Sequence, residues 1–178
     1  MAGTTGRFFP VVGVSLGEFQ SFDTFNASAL SNAGIPPYAG QLGSVFEKNA
    51  KVYRMVQFNN GTGNVAAAAG GVAHWKTRAS YIVTSDQTDA EASLNGVAGG
   101  FLMAVTDLYY CFVQIGGVQA VTVDTTASAG QALIASTTDL TLVAGTTNTK
   151  GNQLIYGISY GTNSTTSANV YWVFGNLL

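Results

Sequence analysis

Three short stretches of this chain carry residue types that could do chemistry. GVSLG (13–17) has the G-x-S-x-G spacing that exposes a nucleophilic serine on a sharp strand-to-helix turn. GTGNVA (61–66) has the G-x-G-x-x-G/A spacing of a phosphate-cradling turn. Asp86 stands twenty residues after Ala66, where it would hold a ribose hydroxyl. DQTDAE (86–91) gathers Asp86, Asp89 and Glu91, whose carboxylate oxygens suit a hard cation. One histidine, His74, and one cysteine, Cys111, complete the reactive inventory.

None of these has the surroundings its chemistry needs. A nucleophile elbow requires a buried strand before the serine, a helix after it and a histidine to take its proton. Ser15 stands instead in a glycine-rich stretch interrupted by Pro10, which reads as an arm segment. A dinucleotide turn must open a helix docked on a parallel sheet. Gly70 and Gly71 break the segment after GTGNVA, and the rest of the chain is not ordered as βαβ units, so this reads as a glycine-rich β-turn. Calcium loops alternate their acids around a glycine; Asp86, Asp89 and Glu91 do not, and read as a solvated loop. One Cys and one His cannot build a zinc site from Cys and His alone, and a lone Cys excludes an internal disulfide framework. His74, beside Trp75, reads as a packed or surface imidazole. Cys111, in an apolar strand without basic neighbours, reads as a buried inert thiol. The expectation is a protein without catalytic residues, cofactor or metal.

Composition points toward assembly. The chain has 178 residues, of which only 9% are charged and 47% hydrophobic, with 22 glycines. An average soluble domain is about 25% charged. A surface of hydroxyls and amides suits a chain that lives among other chains, since monomers commonly keep soluble with more charge. The net charge of −2 supplies no overall basic field to collect nucleic acid. Five of the seven basic residues, Lys48, Lys51, Arg54, Lys76 and Arg78, lie in one stretch. No apolar run reaches the 18 or more residues of a membrane helix, and the N-terminal stretch reads as neither signal peptide nor anchor.

The elements that would position these residues fall into two parts. Residues 1–45 show no sustained period, yet carry Phe8, Phe9, Phe19, Phe22 and Phe25. Disordered segments are poor in aromatics, so this reads as an extended N-terminal arm that packs on a partner. Residues 46–178 read as short strands divided by Gly, Asn and Ser turns. VYRMVQF (52–58) alternates, with Val52, Arg54, Val56 and Phe58 on one side. SYIVTS (80–85), VAGGFLMAV (97–105), QALIAS (131–136), LTLVAG (140–145), QLIYGISY (153–160) and NVYWVF (169–174) follow. The glycines of VAGGFLMAV mark a bulge or a close backbone approach. The pattern predicts an all-β fold: a compact antiparallel β-barrel, β-tulip-like or sandwich domain.

YYCFVQIGGVQAVTV (109–123) reads as a hairpin turning at Gly116-Gly117. One face would carry Cys111, Val113, Ile115, Val118, Ala120 and Thr122, suited to a barrel interior. The other would carry Tyr110, Phe112, Val121 and Val123, capped by Gln114 and Gln119. An aromatic-valine patch rimmed by amides fits a subunit interface, unless a second layer of the same chain covers it.

LGSVFEKNAKVYRMVQFNNGTGNVAAAAGGVAHW (42–75), NGVAGGFLMAVTDLYYCFVQIGGVQAVTV (95–123) and ASAGQALIAS (127–136) together resemble the β domain of tailed-phage head decoration, or cement, proteins. The likeness is one of order. A leucine-glycine pair precedes a tyrosine-bearing strand, a glycine turn and a small-residue stretch. A glycine-containing strand, an aromatic strand ending in valine-glutamine and glycine, a valine-rich strand and an alanine-glycine turn follow. The resemblance covers roughly residues 42–178. It implies a structural virion protein on the outer capsid surface, a homotrimer bound to the phage major capsid protein where capsomers meet. On that reading Phe8, Phe9, Phe19, Phe22 and Phe25 anchor the arm on the capsid, and Lys51 and Arg54 make polar contacts to it. The alternative is a carbohydrate- or receptor-binding β domain of a phage fibre, with Trp75, Trp172 and tyrosines as its platform.

Overall fold

The computed structural model describes residues 42–90, 96–145, 155–161 and 166–173. The expected all-β class is what forms. The strands are β1 (Val45–Lys48), β2 (Lys51–Phe58), β3 (Val72–Thr77), β4 (Ile82–Thr84), β5 (Val97–Phe101), β6 (Tyr110–Thr122), β7 (Ala132–Ala135), β8 (Leu142–Ala144), β9 (Gly157–Ser159) and β10 (Ser167–Val173). Two short 3-10 turns, Arg78–Ser80 and Gln87–Asp89, are the helical elements among the described residues.

The sheet order is β1-β2-β4-β3-β5-β6-β10-β9-β7-β8, and β2 also pairs with β6. That extra pairing closes β2, β4, β3, β5 and β6 into a five-stranded barrel. All its pairings are antiparallel except β2–β4, where Gln57 and Phe58 run parallel to Ile82 and Val83. From β6 the sheet continues through β10, β9, β7 and β8. It curls until Leu142 of β8 meets Val123, just beyond β6, in a parallel bridge. The chain thus builds two curled sheets that share β6.

Each sheet encloses its own core. Val56, Phe58, Trp75, Val83, Phe101 and Val113 pack inside the barrel, where the Phe58 and Phe101 rings meet edge to face at 5.5 Å. Val121, Val123, Leu133, Leu142, Val170 and Trp172 fill the second core. Full burial of such side chains stabilises by about 1.5–3 kcal/mol each. Strand β10 shows the alternation that drives this, with Ala168, Val170 and Trp172 buried and Ser167, Asn169 and Tyr171 exposed.

The expected hairpin at 109–123 is instead one strand of 13 residues. A two-residue primed turn needs positive φ at the first central residue, or at both. Only Gly117 of the pair has it, at +77°. A Cβ on Gly117 would stand 2.5 Å from the carbonyl oxygen of Ala50, so glycine lets the strand bend there against the start of β2. Before the bend β6 pairs with β2 and β5. Beyond it Gly116 to Thr122 pair with Val173 to Ser167.

Continuity changes which residues share a face. A reversal would bring Val118, Ala120 and Thr122 to the side of Cys111, Val113 and Ile115. A continuous strand keeps odd positions together. Cys111, Val113 and Ile115 do line the barrel core, but beyond the bend Val121 and Val123 turn inward. Ala120 is exposed, and Val118 and Thr122 are half-buried. The subunit-interface reading of Tyr110, Phe112, Val121 and Val123 is therefore corrected. All four are at most 6% exposed within the single chain.

The two glutamines are corrected with them, from an amide rim to interior fasteners. Gln114 Nε2 donates to the carbonyls of Gly116 (2.9 Å) and Val118 (3.1 Å), across the bend. Gln119 Nε2 donates to the Phe101 carbonyl (2.9 Å), and its Oε1 accepts from Trp172 Nε1 (2.8 Å). A side chain on Gly100 would overlap the Gln119 amide. The close approach expected at the glycines of β5 is thus made by a side chain tying the barrel to the second sheet.

Candidate functional site

The residues first singled out for chemistry are distributed as follows. Ser15 and Glu91 lie outside the described residues. His74 on β3 is 1% exposed and pairs with Thr84 and Val97 in register. Burial pushes its imidazole down to about 4, only partly opposed by the charge of Asp139, so it stays neutral at ordinary pH. Its Nε2 is buried without a hydrogen-bond partner. Cys111 lies in the barrel core, and burial pushes its thiol up to about 12. A thiolate is the reactive form, and this site suppresses it. His74 and Cys111 face opposite sides of their sheet: Ala73 and Trp75 flank His74 and point into the barrel core with Cys111.

Asp86 and Asp89 fasten the GTG turn rather than standing solvated. Asp86 Oδ2 accepts from the Gly63 amide (2.7 Å), and its Oδ1 accepts from the Thr88 amide and hydroxyl. Asp89 accepts from the Thr62 amide and hydroxyl and pairs with Lys76 Nζ at 2.7 Å. The hydrogen bond from Thr88 is the first cause holding Asp86 below its ordinary value. That from Lys76 does the same for Asp89. Their oxygens are thus engaged by the turn. Among the described residues, no group of three or more His, Cys, Asp and Glu is arranged to hold a metal ion.

The arm phenylalanines, Phe8, Phe9, Phe19, Phe22 and Phe25, lie outside the described residues. Arg54 projects from the side of β2 that carries Val56 and Phe58 into the barrel core. Its guanidinium lies 5.9 Å from the centre of the Trp75 ring, and that of Arg78 lies 5.8 Å from the same ring. Arg54 Nε is buried without a partner, and burial is the first cause lowering its pKa. Half-buried Arg54 thus lies at the edge of the barrel core in a cation–π contact with Trp75. Lys51 stays half-exposed, with its stem beside Gly117. Trp75 and Trp172 are 4% and 2% exposed, which removes them as a platform for sugar stacking.

What the described residues do offer is a surface. The outward positions of the second sheet include Val118, Tyr171, Ile158 and Ala132, which register side by side across β6, β10, β9 and β7. Tyr171 is 50% exposed and Ile158 41%, and Tyr160, just past β9, is 66% exposed. Ile134 and Val143 extend the row onto β8. No outward position of these strands is charged. Beside the row opens a groove of about 550 Å³. Its walls include Ala120, Ser167 and Asn169, with Gln114, Gln119 and Lys51 among its other lining residues. Gln114 Oε1 is buried with no donor. Local reading missed this surface because no single strand contains it. The alternation of β10 was its one local signal.

No protein-family model and no curated protein matches the chain. Among solved structures the chain is similar to the N base of the head fiber gp8.5 of bacteriophage phi29. The identity is 11% and the TM-score 0.42, over 68% of this chain and 93% of that one.

Proposed function

We propose that the chain is a non-enzymatic structural protein of a phage virion. It binds the outer surface of the head as a homotrimer and stabilises the junctions between capsomers through the major capsid protein. The observation that carries the reading is the order of cement-protein-like stretches over 42–75, 95–123 and 127–136. Those stretches supply β1 to β3 and β5 to β7, which include four of the five barrel strands, among them β6, the strand that links the barrel to the second sheet. The low charge of the chain and the uncharged outer sheet support the same reading, because both suit burial against other proteins.

The mechanism is burial without chemistry. Phe8, Phe9, Phe19, Phe22 and Phe25 of the arm anchor on capsid protein, each contributing about 1.5–3 kcal/mol when buried. Three arms per trimer turn modest single contacts into avidity. Deletion of residues 1–40 tests this, with binding to purified heads lacking the protein read by co-sedimentation. The truncated chain is expected to stay folded and to lose head binding. Unchanged affinity would refute the arm as the anchor, and failure of the intact protein to bind heads would refute the function itself.

A further inference from the structure

We infer that the outer face of the second sheet is the contact between copies of this chain, with Tyr160 and Tyr171 of one copy seated in the groove beside Asn169 of another. This deepens the reading above by assigning the surface that joins subunits, which Tyr110 and Phe112 cannot supply.

Two features select a second copy as the occupant. Knob and hollow stand together on one face: the Tyr160 amide donates to the Asn169 carbonyl at 2.6 Å, and Asn169 lines the groove. The tyrosines of one copy can therefore enter the groove of the next around a three-fold axis, the head-to-tail contact that closes a trimer, whereas an unrelated partner would have to carry its own matching pair. The outward positions are uncharged, so apposing identical faces raises no like-charge repulsion, the usual penalty against self-association.

The chemistry of the hollow fits a phenol. Its 550 Å³ lies within the roughly 300–1,000 Å³ of sites that take small organic groups. Its amides and hydroxyls can meet a tyrosine hydroxyl while Val118 and Leu102 meet the ring. Each aromatic side chain buries about 150–250 Å². The exposed parts of the two tyrosines, 66% and 50% of them, thus provide about a quarter to a third of the roughly 800 Å² per partner that a stable contact needs. Ile158, Ile134 and Val143 extend the apolar row to supply more.

Light scattering on the full-length protein tests the inference. The wild type is expected at a multiple of 18.4 kDa, and Tyr160→Glu/Tyr171→Glu at the monomer mass with the wild-type far-UV circular dichroism. Ala120→Arg, which fills the groove from an exposed wall position, should give the same loss independently. Tyr160→Phe/Tyr171→Phe should keep most of the wild-type mass. A monomeric wild type, or both disrupting variants at wild-type mass, would overturn the contact. Head co-sedimentation of the same proteins separates the two readings. Heads that bind a glutamate variant still oligomeric leave decoration standing and the contact refuted. An oligomer that the variants dissociate, but that never binds heads, does the reverse.

Discussion

Mild acid should destabilise this protein through a single side chain. His74 is the chain's one histidine, so no other imidazole titrates beside it. Burial holds it near 4 in the folded chain, against an ordinary value of 6.5. Between those values the unfolded chain carries a proton on His74 and the folded chain does not. Lowering the pH through that window therefore favours unfolding, and the loss levels off below about 4. The whole gap corresponds to about 3 kcal/mol. From pH 7 to pH 5 the folded imidazole stays about nine-tenths neutral while the unfolded one becomes almost fully charged, which costs about 2 kcal/mol. Unfolded carboxylates, with ordinary values near 4, contribute little over that interval.

The assay is urea unfolding at fixed protein concentration in closely spaced buffers from pH 7.5 to 4.5. His74→Gln serves as the non-titrating control. The wild type should lose about 2 kcal/mol between pH 7 and 5, and the variant should lose far less, whatever its absolute stability. A wild-type profile flat over this interval, or an equal slope in the variant, would refute the burial of a neutral His74. Asp86 and Asp89 act in a lower window. Both are held below their ordinary value by hydrogen bonds and, for Asp89, the Lys76 ammonium. Their contribution is present above about pH 4 and fades as acid protonates them in the folded chain, so it adds a second decline separated from the first.

Two other substitutions test the shared strand. Gly117→Ala forces a side chain into positive φ and 2.5 Å from the Ala50 carbonyl. The left-handed conformation alone costs about 1–2 kcal/mol, and the contact adds to it, so a urea midpoint lowered by about 2 kcal/mol or more is expected. Gln119→Ala leaves Trp172 Nε1 and the Phe101 carbonyl without their partner. At about 1–3 kcal/mol per buried unsatisfied group, a loss of about 2–6 kcal/mol is expected, with a shift in tryptophan emission; an unchanged midpoint would show that the amide does not join the two sheets.

The strands were legible wherever one face met a core and the other met solvent. In β2 the alternation put Arg54 with Val52, Val56 and Phe58, which is where its side chain lies; its charge argued for the surface, and the Trp75 ring made the inward place tolerable. In β6 alternation fails, since residues 110 to 116 are buried on both faces, and a sequence gives no register for such a run. The Gly116-Gly117 pair signals permission for positive φ without saying which residue uses it; at Gly117 alone it bends the strand, where at Gly116 or at both it would reverse it. The bond from Trp172 to Gln119 spans 53 positions in sequence, so nothing local announces it.

Because the strand bends and does not turn back, its odd positions pass from one core to the other along its length. Cys111, Val113 and Ile115 belong to the barrel, and Val121 and Val123 to the second core. Neither core is complete without its half of β6. Separating the halves would expose one set of apolar residues and strip Gln119 of either Phe101 or Trp172. A face uncovered at that expense would not serve as an exchangeable contact, because opening it dismantles the fold. A surface for partners must be one the folded chain can expose without loss. The outer row through Tyr171 and Ile158 meets that condition, since the same strands bury Val170 and Trp172 behind it.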